Sequence, residues 1–146
     1  SRSAAGLNTG MTPSMKMLAH GIDLVEFGRL ERLLERHQQR VLERVFTQRE
    51  QADAQGLRNR LERLAGRFAA KEAVMKLIGI GWREGVAWTD IEVVNDALGR
   101  PVVNLSGRLK ELACQRGIEQ ITLSITHTDR FAIASAVALA EGGLSM

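Results

Sequence analysis

Residues 65–79 read A-G-R-F-A-A-K-E-A-V-M-K-L-I-G and, after Arg67, place Lys71, Glu72 and Lys76 in a segment that is otherwise apolar. At about 100° per residue, Leu61, Leu64, Phe68, Met75 and Ile78 fall within one arc of roughly 100°, the width of a core-facing stripe, and Lys71 falls inside it. Glu72 and Lys76 are four residues apart and stack on one side of the helix, beside Ala65 and Ala69. Ala73 and Val74 make the far side apolar as well, so the helix is expected to be buried nearly all round. Unpaired charges in such a place are costly. A polyanion held with a metal ion would compensate them. A second misplaced carboxylate, Asp23, interrupts the apolar stretch M-L-A-H-G-I-D-L-V of residues 17–25. It is either a strand-end cap or turn former, or a carboxylate that needs a counter-charge or a metal, and the other misplaced acid, Glu72, favours the metal.

The elements that must position these groups follow from pattern. Residues 17–25 are expected as a short buried strand. Residues 27–46 are expected as a helix, or a helix pair, with Phe27, Leu30, Leu34, His37, Val41 and Val45 on the apolar side; His37 reads as a packed core histidine. Arg29, Arg32, Arg36, Arg40 and Arg44 share one flank. That flank is a solvated face or a ridge able to receive an acidic partner. Thr47-Gln48-Arg49-Glu50 is a capping-box signature for a short helix to about Ala54. The helix of the opening stretch is expected from about Arg58, with a left-handed stop at Gly79.

The glycine-rich residues 79–88 carry both tryptophans and read as a loop, without phosphate-loop spacing. Residues 89–94 and 101–105 form a hairpin around a turn at 95–100, with Pro101 at a strand start. Ser106 is expected to cap a helix that runs to Arg116 and stops at Gly117. In residues 118–128 Ile121, Leu123, Ile125 and His127 point one way, and Thr122, Ser124, Thr126 and Thr128 the other. Asp129-Arg130 turns the chain into residues 131–139, a small-apolar strand expected to be buried on both faces. His127 is a satisfied core residue or a site residue, according to what converges on it.

Composition bounds what such a molecule can be. A chain of 146 residues supports one domain, and no apolar run approaches the ~20 residues of a bilayer span. Residues 1–16 carry no signal-peptide core and are expected as a disordered arm or non-native remnant ahead of a domain at 17–146. The lone Cys114 fits a reducing cytoplasm and reads as a small apolar filler. The net charge of +3 favours an acidic partner, while aromatics at 4% with no Tyr leave few stacking platforms for nucleic acid.

Three segments, G-I-D-L-V-E (21–26), G-R-F-A-A-K-E-A-V-M-K (66–76) and S-I-T-H-T (124–128), together resemble the bacterial holo-[acyl-carrier-protein] synthase group of 4'-phosphopantetheinyl transferases, over about residues 17–140. The resemblance implies an α+β single domain with an antiparallel sheet packed against helices, forming cytoplasmic homotrimers with active sites between protomers. It implies Mg²⁺-dependent transfer of the phosphopantetheine arm of coenzyme A to a serine of an acyl carrier protein, releasing adenosine 3',5'-bisphosphate, in support of fatty acid biosynthesis. No nucleic acid or membrane partner is implied. Carried over by position, Asp23 and Glu72 are the metal-binding acids, and Lys76 faces the phosphates or leaving group. Lys71 goes to the same pocket, with a snorkelling stem as its other reading. Arg67, His127 and Thr128 lie near the nucleotide and its phosphates, and the Gly99-Arg100-Pro101 turn borders the coenzyme. Arg29, Arg36 and Arg40 receive the carrier. The competing reading is a non-catalytic basic module that binds an acidic protein or RNA through the arginine ridge.

Overall fold

The computed structural model describes residues 13–79 and 85–144. In chain order the elements are β1 (Pro13–Glu26), α1 (Phe27–Val45), α2 (Gln48–Ala54), α3 (Arg60–Ile78), a 3₁₀ turn (Trp88–Asp90), β2 (Ile91–Asn95), β3 (Pro101–Leu105), α4 (Gly107–Gln115), β4 (Gln120–His127) and β5 (Phe131–Leu144). The expected α+β class holds. A three-stranded antiparallel sheet has the order β1-β5-β4, and β2 pairs with β3 in a separate hairpin. None of the described helices is long and apolar enough to cross a membrane.

The sheet presents its smallest residues to α3. Ala132, Ala134, Ala136 and Ala138 of β5 are fully buried, as are Ala65, Ala69, Ala70 and Ala73 of α3. Small side chains on both surfaces let the helix axis approach the sheet closely, and Gly21 of β1 marks the tightest point. A Cβ there would meet the Ala73 carbonyl oxygen at 2.1 Å and the Leu77 amide nitrogen at 3.0 Å. From Gly21, Asp23 lies two residues along the same face of the strand. The contact that seats the helix therefore also carries Asp23 to the flank of α3.

Several expectations change. β1 begins at Pro13, four residues before the expected strand, so residues 13–16 of the supposed arm pair with the end of β5. Residues 1–12 lie outside the described residues, as does half of the glycine-rich loop, 80–84. β5 is not buried on both faces. Its alanines are covered by α3, while Phe131, Ile133, Val137 and Leu139 are only half-buried within one chain. On the same outer side of β1, Ile22 is 55% exposed and Leu24 49%.

His37 is exposed at a kink in α1, with φ −143° and ψ 42°, because the helical apolar stripe breaks there and Leu42 and Val45 take over the burial. Cys114 is exposed rather than a filler. The capping box at Thr47 and Glu50 and the left-handed Gly79 are as expected. Ser106, by contrast, makes no side-chain cap; the Asp90 carboxylate accepts from the Leu109 amide in its place (3.3 Å).

Gly21→Ala should lower stability by at least about 3 kcal/mol, because the added methyl collides with backbone on a packed helix. Gly28→Ala, whose methyl meets only the ends of the Arg32 and Glu26 side chains at 3.3 Å, should be neutral or better by up to about 1 kcal/mol. Urea midpoints of the two variants check this, and equal midpoints would remove the close-approach argument.

Candidate active site

α3 is buried over nearly its whole circumference, from Leu64 through Ile78 with only Glu72 and Lys76 as breaks. Each charge on it meets a different fate. Lys71 is fully buried and pairs with the equally buried Glu50 at 2.8 Å. Its ammonium also donates to the Trp88 carbonyl oxygen (3.1 Å) and to that of Ile91. Burial pushes the Lys71 ammonium below its ordinary pKa, and Glu50 opposes that shift.

Lys71 is thus neither the pocket cation nor the snorkelling stem expected of it, but an internal tie between α3, α2 and the start of β2. Its partner Glu50 reads in the sequence as a capping-box carboxylate and nothing more. It does cap, accepting from the Thr47 amide (2.9 Å), and its other oxygen accepts from the Val93 amide (2.7 Å). A capping glutamate followed by a buried hairpin was the available signal. The counter-ion role could not be paired to Lys71 from 21 positions away.

Asp23, Glu72 and Lys76 do come together. Lys76 Nζ donates to Asp23 Oδ1 at 2.6 Å and to the Ile22 carbonyl oxygen at 3.1 Å. The lysine side chain is 58% exposed and the aspartate 12%, so the pair sits at a mouth with the acid on the inner side. Glu72 Oε1 is buried with no hydrogen-bond partner among the described residues. Burial pushes the Glu72 carboxyl up, as does Asp23, while Arg29 and Lys76 pull it down.

Two carboxylates close enough to repel, one of them with an orphaned oxygen, suit a hard divalent cation that takes oxygen ligands. The donor set therefore fits Mg²⁺. No cluster of three metal-ligating side chains occurs among the described residues, so further ligands would come from substrate or water.

Arg67 and His127 meet at a second place. With Asn59, Glu62, Arg63, Gly66, Asn95, Gly99, Pro101 and Ile125 they line a cavity of about 330 Å³. Arg67 is buried, and its Nε and Nη2 have no hydrogen-bond partner among the described residues. Burial and the neighbouring Arg63 push its pKa down, with Glu50 and Asp53 opposing. A buried guanidinium with idle donors is a receptor for an anion such as phosphate. Arg63, Asn59 and Asn95 were not anticipated, although Arg63 and Arg67, one helical turn apart, carried the signal.

His127 is exposed at this cavity and tilts against Phe27 at 6.5 Å, so it is not a core histidine. Thr128 does not line it: its hydroxyl oxygen accepts from the amides of Arg130 and Phe131 and shapes the β4–β5 turn. Arg100 pairs with Asp96 (3.2 Å), and only its neighbours Gly99 and Pro101 reach the cavity.

The arginine row of α1 is exposed at Arg29, Arg32, Arg36, Arg40 and Arg44 but broken by the His37 kink. Arg32 leans on Glu26 at 3.7 Å. The Arg29 guanidinium lies 5.9 Å from the Phe68 ring centre, and Phe68 packs on Trp88 at 5.1 Å. Arg29 is also close enough to Glu72 to bias its proton affinity, so one end of the row reaches the acid pair.

Known proteins resemble this chain in both sequence and fold. Residues 19–136 match the family model of the 4'-phosphopantetheinyl transferase superfamily. The chain is 43% identical over 117 residues to a holo-[acyl-carrier-protein] synthase of Geobacter metallireducens, covering 80% of this chain and 93% of that one. The crystal structure of holo-[acyl-carrier-protein] synthase from Neisseria meningitidis superimposes with a TM-score of 0.78 at 31% identity, over 84% of this chain and 98% of that one. That of the Helicobacter pylori protein in complex with coenzyme A gives a TM-score of 0.72 at 30% identity, over 82% and 98%.

Lys71→Met should cost about 3–5 kcal/mol of stability by stranding Glu50 as a buried unpaired acid. Chemical denaturation checks it. A variant as stable as the parent but impaired in catalysis would return Lys71 to the pocket.

Proposed function

The chain belongs to the 4'-phosphopantetheinyl transferase superfamily, and from that premise we infer its reaction: transfer of the 4'-phosphopantetheine group of coenzyme A to a serine of an apo acyl carrier protein. The serine oxygen–phosphorus bond forms at the β-phosphorus, the pyrophosphate P–O bond breaks, and adenosine 3',5'-bisphosphate leaves. The observation that carries the assignment of roles is the orphaned Glu72 oxygen beside Asp23. A non-catalytic basic module would give no reason for it.

Asp23 and Glu72 would hold Mg²⁺, which supplies positive charge to the pyrophosphate as the serine attacks. Lys76, reaching out from the same mouth, would lend its charge to the phosphates. Arg67 and His127, with the Gly99 to Pro101 turn, would receive the nucleotide and its 3'-phosphate. Arg29, Arg36 and Arg40 would dock the acidic carrier, whose natural role we place in fatty acid synthesis.

A homotrimer with sites between protomers is part of the same reading, and two features favour it. On α3, Glu72 and Lys76 lie about 140° and 180° around the axis from Arg67, so the acid pair and the nucleotide cavity open on different sides of one chain. A coenzyme that needs both halves meets them across two copies. The exposed apolar outer face of the sheet, with Ile22 and Leu24, is the surface such copies would bury.

Incubation with coenzyme A, Mg²⁺ and apo carrier should add the phosphopantetheinyl mass to the carrier, read by intact-protein mass spectrometry. Asp23→Ala and Glu72→Ala should each lower turnover at least about 10²-fold while leaving a folded protein. Near-parental turnover in either would remove that residue from the site. Arg36→Glu should raise KM for the carrier and flatten its salt dependence with kcat little changed; an unchanged KM would return the ridge to a solvated face.

A further inference from the structure

Around the acid pair the chain supplies its own counter-charges. Asp23 and Glu72 are faced by Lys76, bonded to Asp23, and by Arg29, close enough to act on Glu72. Two acids and two bases cancel formally. The Lys76 ammonium donates to Asp23 Oδ1 and is held from a second side by the Ile22 carbonyl oxygen. A divalent ion arriving on Asp23 must compete with that ammonium for the same carboxylate. It would raise the cluster from neutral to a net charge of two.

We propose that Lys76 acts as a built-in stand-in cation that disfavours metal loading by itself and couples it to arrival of a pyrophosphate ester. The proposal rests on the metal assignment made above. Its physical basis is an exchange of partners. An ion arriving alone displaces Lys76 from Asp23 and leaves the ammonium beside a new positive charge. An ion arriving with a pyrophosphate brings two negative charges that restore neutrality, gives Lys76 phosphate oxygens to bond, and completes the ion's shell with oxygens the chain lacks.

The lysine can make this move. Its side chain is more than half exposed at the C-terminal turn of α3, whereas the Asp23 side chain is nearly covered and stays in place. Lys76 is thereby a positioning residue for the cation as well as a phosphate ligand. Its removal should strengthen one binding event and weaken the linkage between two.

The test uses Mn²⁺ as the spectroscopic probe, counted by electron paramagnetic resonance, with and without coenzyme A and with no carrier present, so that no turnover occurs. The parent should bind Mn²⁺ weakly alone and more tightly with coenzyme A. Lys76→Met should bind Mn²⁺ alone about tenfold more tightly than the parent, from loss of a like charge a few ångströms away, screened by solvent. Its further gain from coenzyme A should shrink. Lys76→Arg, which keeps a cation on Asp23, should stay close to the parent.

Parental affinity in Lys76→Met, with Asp23→Ala still weakening binding, overturns the exchange and leaves the metal assignment standing. Mn²⁺ binding that Asp23→Ala leaves untouched in both the parent and the Lys76→Met background overturns the assignment and this proposal with it. Lys76→Arg binding as tightly as Lys76→Met would show that charge is not the cause.

Discussion

The closeness of α3 to the sheet sets everything else. Alanines on the helix meet alanines on β5, and at Gly21 the strand has no room for even a methyl group against the Ala73 carbonyl. This contact fixes both the height and the rotation of the helix. Because Ala73 touches the strand, its neighbour Glu72 stands at the edge of the contact, and Asp23, two residues beyond Gly21 on the same strand face, comes up beside it. Packing of small residues thus brings together two acids that repel each other. The repulsion is carried by a well-filled interface rather than relieved locally.

The same helix shows how charged groups in a core can be sorted by their degree of satisfaction. Lys71 has an acid and two carbonyl oxygens, Glu50 has an ammonium and two amides, and the set closes on itself. Such a set ties three elements together and offers nothing to a ligand. Arg67 and Glu72 are the reverse: each has buried polar atoms with no partner among the described residues. An unsatisfied buried donor or acceptor is costly on folding, and the cost is recovered when a ligand supplies the missing bond. Sorting by satisfaction therefore separates structural from ligand-facing charges that burial alone would lump together.

The sequence made much of this legible where the signal was local. Periodicity gave α3, and the capping box gave α2. Strict alternation gave β4, and the misplaced Asp23 and Glu72 pointed to one another before any geometry was available. What failed was non-local. The pairing of Lys71 with Glu50 depends on how α2 folds against α3, which no spacing encodes. His37 sat on the apolar period of α1, but the kink at that residue turned it outward. The alanine-rich β5 read as buried on both sides because its composition is apolar throughout, yet only its α3 side is covered within a chain. Thr128 and Arg100 belong to matching motifs, but the Thr128 hydroxyl serves a local turn and Arg100 Nε pairs with Asp96 of its own turn.

One consequence of the helix geometry reaches the arginine row. α1 leaves β1 only a few residues after Asp23, and the Phe27 amide is tied to the Arg130 carbonyl oxygen at 2.9 Å, so the first turn of α1 is anchored to the β4–β5 turn that carries His127. Arg29, in that anchored turn, rests on Phe68 and acts on Glu72. Beyond the His37 kink, Arg40 and Arg44 belong to a segment with its own axis, packed through Leu42 and Val45. The basic row is therefore two units of different standing. The near one shares a surface with the acid pair, so an acidic partner bound to it alters the charge around Glu72. The far one adds attraction at a distance. A carrier docked there, as proposed, would be electrostatically linked through Arg29 to Glu72, and the link follows from the length of one turn of helix.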